Sequence, residues 1–449
     1  MFQERSGATG QLPGNPGAAS ACDPGQVLGL NEPWRGALPL APSTPLSEPP
    51  MQGNARPTHD WSLAADPEAA ICPFRAAAKL HEGPDIFFVP GEAHVRAAGL
   101  GGNWVVTRHA LQEEILLDPV RFSSHLSIGF SRLVGDNWPL VPLELDPPEH
   151  ALYRKVLLPW FSPGKAREMA GDIRRLAVTL IEGFRESGGV DFITGFAQPF
   201  PVTVFLLMMG LPADRMATFI AWEDDLLRGA DMQVRAAAAA QIKTFLLDLI
   251  EQRRRSPGDD IVSYLIAYDL DGAPIPDDRL LGLCFMLFAG GLDTVTSVLG
   301  FVFRELAMRP ILQASLRAHP DNANKAADEF IRAFGVVNTF RYATCDMHFH
   351  GVAIARGDLI QLPLGLASRD ARMHADPHRI DFGRTTKRSL SFSTGPHTCA
   401  GMHLARTEIR IALEEWIARV PEWRISDAER ITTATESVWA LHHLPLAWG

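Results

Sequence analysis

Cys399 sits in the string FSTGPHTCAGMHLAR, residues 392–406, where a loop bearing Gly and Pro runs into a helix. A helix N-terminus and loop N–H groups favour negative charge, so this position stabilises a thiolate. Hydrogen bonds from the same amides would tune the sulfur as a metal ligand. On these residues alone three roles stay open: a metal-ligating thiolate, a buried structural thiol, or a zinc site shared with His397 and His403. Zinc usually takes four ligands, and no second Cys/His cluster at recognised spacing completes that set.

A second place breaks its own pattern. LLGLCFMLFAGGLDTVTSVLGFVF, residues 280–303, carries one charge, Asp293, preceded by Gly290 and Gly291 and followed by Thr294. Its length would span a bilayer, but a mid-span acid and a Gly pair are unfavourable there, and a buried central helix is the better reading. Each Gly costs about 1 kcal/mol against Ala inside a helix. The pair lets the helix open locally, and Thr294 can bond the Gly290 carbonyl four residues back. Asp293 is either a proton carrier or a buried acid paired with an Arg or Lys, and the two roles are compatible.

The elements that must position these residues are mostly helical. Residues 147–186 are expected as one helix with Asp146 as N-cap and Pro147 in the first turn. Further helices are expected over 212–229, 234–255, 256–267, 280–308, 322–336 and 401–420. NWVVTR (103–108) reads as a strand. MHFHGVAIARGDLIQLPL (347–364) reads as a β-hairpin turning at Arg356-Gly357-Asp358. The tail ESVWALHHLPLAW reads as extended. No βαβ alternation and no internal repeat is present, so the expected class is mainly α with a minor β region.

The 449 residues allow two or three domains at about 150 residues each, or one large α-rich domain. Hydrophobic residues make up 46% and charged residues 21%, as in a globular chain with a substantial core. A net charge of −10 argues against nucleic-acid binding. Five scattered cysteines without a CxxC pair fit a reduced, cytoplasmic protein, and no secretory signal is expected. Residues 1–60 hold ten prolines and eight glycines and are expected to form a mostly disordered arm. The folded body, a single catalytic domain, is expected over 61–449.

Phe392-x-x-Gly395-x-His397-x-Cys399-x-Gly401 resembles the haem-ligand loop of the cytochrome P-450 haem-thiolate monooxygenases. Glu329-Phe330-Ile331-Arg332 resembles that family's ExxR signature, AGGLDT (289–294) its oxygen-binding helix, and DPPEHALYR (146–154) its propionate-reaching helix. The resemblance covers about residues 95–449 and is closest to the bacterial camphor-hydroxylase branch, through GLDTV, IEQRRRSPG and LPLAW. The arm before Trp61 has no clear counterpart there.

The resemblance implies the family's triangular-prism fold and haem b with Cys399 as axial ligand. Phe392 would pack near the sulfur, and Gly395 and Gly401 would permit the tight turn and close approach. His150, Arg154, Arg341 and His397 would hold the propionates, with Glu329 and Arg332 as a buried structural pair. Asp293 and Thr294 would relay protons, Thr294 holding dioxygen or a water beside it. The pocket positions would be Trp138, Met286, Ala289, Val337, Thr339, Ser437 and Val438. Trp138 stands where the camphor branch has a substrate-bonding tyrosine; it offers only an indole N–H and fills more volume, so another compact terpenoid or aromatic ligand is expected. Without a flavin or nicotinamide domain, electrons would come from a ferredoxin docking on Arg154, Lys155, Arg384, Lys387 and Arg388. A peroxide-driven peroxygenase and a non-catalytic haem ligand sensor are the alternatives.

Overall fold

The apolar stretches and their caps produce a chain of helices wrapped around one of them. The structure is a computed structural model that describes residues 57–59, 63, 66–91, 101–125, 127–385, 388–435 and 437–449. Nearly all of the Pro/Gly-rich arm, and Trp61, lie outside the described residues. Residues 57–59 already pair with the Ile86–Pro90 strand, through a Thr58–Phe88 bridge.

The long apolar helix forms as two segments, Asp277–Gly291 and Asp293–Met308, joined at Leu292. The break falls directly after the Gly pair. Among the described residues this is the only helix long and apolar enough to cross a membrane, and 61% of its apolar window is buried inside the fold. Phe303 packs against Trp416 and Trp423, and Phe301 against Phe74 and Phe334, so the helix is a core shaft.

The expected 147–186 helix is two helices, Glu149–Leu157 and Pro163–Phe184. Pro159 has no N–H to continue the ladder, and Ser162 restarts it by accepting from Lys165 N at 3.1 Å. Asp146 does not cap by its side chain. Its carboxylate accepts from Ser123 Oγ at 2.5 Å and Ser124 N at 2.8 Å, while its main-chain carbonyl takes the His150 N–H. The other expected helices form, as Met216–Arg228, Met232–Arg255, Ile261–Ala267, Ala323–Ala333 and Met402–Arg419.

The main sheet has five strands in the order Ile86–Pro90, Gly102–Val106, Leu359–Pro363, Asn338–Ala343, Phe122–Ser123. The expected hairpin is misplaced by one turn. Met347–Phe349 pairs with Val352–Ile354 around His350-Gly351, whose φ values of 46° and 88° suit a two-residue turn. Leu359–Pro363 joins the main sheet instead, pairing Asn338–Ala343 antiparallel and Gly102–Val106 parallel. Among the described residues Cys72, Cys284 and Cys399 are free thiols.

Candidate active site

The Cys399 loop is shaped by its backbone. Cys399 N–H donates to the Phe392 carbonyl at 2.8 Å, closing the turn. Gly395 has φ +67°, and a Cβ there would stand 2.7 Å from the Leu116 carbonyl oxygen, so only glycine fits. A Cβ at Gly401 would meet Cys399 Sγ at 4.0 Å, an ordinary contact. Burial among protein atoms pushes the Cys399 thiol up, opposed by the Gly401 N–H and by Arg154 and Arg406. The residue as a whole nonetheless keeps accessible surface. Phe392 lies under the Arg406 guanidinium at 5.0 Å.

Beside this loop four basic side chains collect, with Asp146 acting on Arg341 and His150 from a distance and no direct ion pair to a carboxylate among the described residues. His150 and His397 are buried with ring centroids 4.4 Å apart. His397 bonds Ser124 Oγ through Nε2 at 3.2 Å, whereas His150 Nε2 is buried without a partner. Arg341 is buried and donates to Phe340 O at 2.7 Å and Thr339 Oγ1 at 3.2 Å. Neither Arg154 nor Arg341 has a carboxylate partner among the described residues. Burial, then the neighbouring Arg341, His150 and Arg154, push His397 down to about 2. Burial pushes Arg341 down to about 10, and burial and Arg154 lower His150. Arg154 also feels Cys399, which joins the cluster to the sulfur. His150 Nε2 and the unpaired guanidinium of Arg154 fit a group with carboxylate arms.

The central helix supplies the second half. Thr294 Oγ1 donates to Gly290 O at 3.2 Å. Asp293 is buried and pairs with Arg228 at 2.5 Å, so the paired-acid reading holds. Ser297 Oγ donates to the same oxygen at 3.3 Å, and Asp293 Oδ2 has no partner. The sequence reading missed Arg228 and its neighbour Glu223. The acid-rich string WEDDLLR was their signal, but nothing in it points to position 293.

Glu329 and Arg332 are both nearly inaccessible. They form a two-armed ion pair at 2.8 and 2.9 Å, and Arg332 also donates to the Ser368 and Pro377 carbonyls. Arg384 joins this network, donating to Glu329 at 3.1 Å and to the Ala375 and Arg379 carbonyls. It is therefore withdrawn from the expected docking face. Arg388 pairs with Glu113 at 2.6 Å but stays exposed, as does Lys155, and Lys387 lies outside the described residues.

The pocket positions divide. Met286, Ala289, Val337 and Val438 are partly buried against the same core, and Val337 bridges Val438. Trp138 is buried, its ring tilted against Phe285 with centroids 4.9 Å apart, and its indole N–H goes to Asp136 at 2.9 Å. Thr339 accepts from Arg341, and Ser437 is exposed, its carbonyl bonded to Asn338 N.

A helical shell that holds one thiol loop beside two arginines and two buried histidines is the architecture of a haem-thiolate protein. The Cytochrome P450 family model matches residues 214–420. The chain is 36% identical over 379 residues to a probable cytochrome P450 127A1 of Sinorhizobium fredii, covering 84% of this chain and 90% of that one. It is 32% identical to the mycinamicin IV hydroxylase/epoxidase of Micromonospora griseorubida, covering 68% and 79%. Among solved structures, cytochrome CYP101J2 superposes with a TM-score of 0.77 at 30% identity, covering 90% of this chain and 100% of that one. The chain belongs to the cytochrome P450 family. It is a monooxygenase whose cofactor is haem b.

Proposed function

We propose that this chain hydroxylates a small apolar molecule, terpenoid or aromatic, using dioxygen and two electrons delivered by a ferredoxin and its reductase. The observation that carries the reading is the buried group of Arg341, His150 and His397 beside the Cys399 loop, with His150 Nε2 unpartnered and Arg154 close enough to act on the sulfur. Cys399 would ligate the haem iron, with the Gly401 N–H on its sulfur. His150, Arg154, Arg341 and His397 would hold the propionates. Haem with an axial thiolate supplies the electron push that favours O–O cleavage.

The chain's own residues supply the rest. Asp293 would hold a proton beside Thr294, whose hydroxyl would orient dioxygen or a water. The apolar class is supported by what the pocket withholds: the Trp138 N–H is bound to Asp136. Met286, Ala289, Val337 and Val438 offer only apolar surface. Lys155, Arg154 and the partly exposed Arg406 support an acidic redoxin on the thiolate side.

The purified holoprotein is expected to show the long-wavelength CO-bound band of thiolate-ligated reduced haem. A library of small terpenoids and aromatics should contain ligands that shift the ferric haem to high spin. Turnover with a ferredoxin pair should then give a hydroxylated product. A histidine-type CO band overturns the ligand assignment. Turnover with hydrogen peroxide alone replaces the electron-transfer reading, and a spin shift with no product under either supply makes the protein a sensor.

A further inference from the structure

Glu223 is a buried acid that the reading above does not use. It lies on the Met216–Arg228 helix, 2% exposed, and its Oε1 has no hydrogen-bond partner. Five residues on, Arg228 donates to Asp293 Oδ1 at 2.5 Å and to Asp224 Oδ1 at 3.3 Å. Asp293 is also 2% exposed, and its Oδ2 is likewise unpartnered. Asp224 and Asp293 thus share one guanidinium, and Glu223, on the same helix as Arg228, feels the charges of all three.

Fully ionised, that group would carry two uncompensated negative charges. The Asp224 side chain is 44% exposed, so solvent screens it. Glu223 is almost wholly shut off from solvent and its Oε1 has no donor, so an ionised carboxylate there is costly. Burial first, and then the charge of Asp293, raise Glu223 well above the carboxylate range. The neutral acid resolves the imbalance and leaves a proton inside the fold, within electrostatic reach of Asp293.

We propose that Glu223 is the proton reserve of the Asp293–Thr294 relay, giving its proton to Asp293 as the Arg228 guanidinium turns from one carboxylate to the other. This rests on the relay reading above. In the transfer the Glu223 O–H bond breaks and an Asp293 O–H bond forms; no electrons move and the net charge is unchanged. Arg228 then faces the Glu223 carboxylate, and Asp293 is neutral and free of its ion pair. The unpaired Oδ2 is the oxygen that receives the proton, after rotation of one carboxyl. Solvent restores the Glu223 proton by way of Asp224.

The test compares holoenzymes carrying Glu223→Gln, Glu223→Asp and Asp293→Asn. Glu223→Gln keeps size but cannot give a proton. It is expected to lower kcat at least about 10-fold and to raise the solvent deuterium isotope effect. It should remove one protonated-carboxyl C=O band from the infrared spectrum at neutral pH. The substrate-induced spin shift should stay as in the wild type. Glu223→Asp should recover part of kcat; equal losses in the two variants mark a structural role and overturn the proposal. An unchanged infrared spectrum or unchanged kcat in Glu223→Gln overturns it too, while a slowed Asp293→Asn leaves the relay standing. If Asp293→Asn changes neither kcat nor the isotope effect, the relay itself falls and the reserve with it.

Discussion

The Thr294 hydroxyl donates to the Gly290 carbonyl at 3.2 Å, across the Leu292 junction that divides the central helix. The bond parks the hydroxyl on a carbonyl whose helical role is weakened by the break, so it can turn outward at little cost. Thr294→Ala is therefore expected to leave folding and NADH consumption nearly unchanged. The electrons should go to hydrogen peroxide rather than product, because the group that orients dioxygen is gone. Peroxide formed per NADH consumed measures this, and unchanged coupling would count against the role.

Glu329 and Arg332 make every bond their charges require: two to each other, and others to the Ser368 and Pro377 carbonyls and to Arg384. Breaking such a pair strands a buried charge. Arg332→Ala is expected to lower unfolding free energy by about 3–5 kcal/mol and to yield protein without bound haem. Denaturant unfolding and haem content of the purified variant check it.

The sequence made the helices legible wherever a cap or a long apolar period marked them, and it marked the Cys399 loop by a pattern with few alternatives. It failed where partners come from afar. Nothing in the string near Arg384 says that its guanidinium turns inward to Glu329, 55 residues back. The hairpin was placed at Gly357 because both local turns carry glycine, and only the main sheet's demand for Leu359–Pro363 decides between them. Asp146 looked like a cap until Ser123 and Ser124 claimed it. Arg228 and Asp293 are 65 residues apart, and their pairing is a product of the fold.

Gly395 is the residue of the thiol loop that tolerates no side chain. At φ +67°, with the Leu116 carbonyl 2.7 Å from a would-be Cβ, alanine is both strained and in collision with backbone. Gly395→Ala is expected to cost about 1–3 kcal/mol and to displace the Phe392–Cys399 turn. The reduced CO-bound spectrum should then show mixed thiolate and non-thiolate bands, whereas a wild-type spectrum and stability would contradict the strain argument.

His374 gives the fold a pH limit on the acid side. It is 1% exposed, with both ring nitrogens lacking hydrogen-bond partners within the fold. Burial, with Arg332, His109 and Arg384 nearby, pushes it down from its ordinary 6.5 to about 4. A histidine lowered in this way is neutral in both states above pH 6.5, so its contribution to stability is fully present there. As pH falls from 6.5 toward 4, the unfolded chain takes up a proton that the folded chain refuses, and that contribution is lost. Carboxylates titrate in part of the same range, so the informative quantity is the difference between wild type and His374→Gln. The wild type should lose more unfolding free energy than the variant between pH 6.5 and 4, by about 2 kcal/mol. Parallel stability curves over that range would show that His374 accepts a proton in the folded protein.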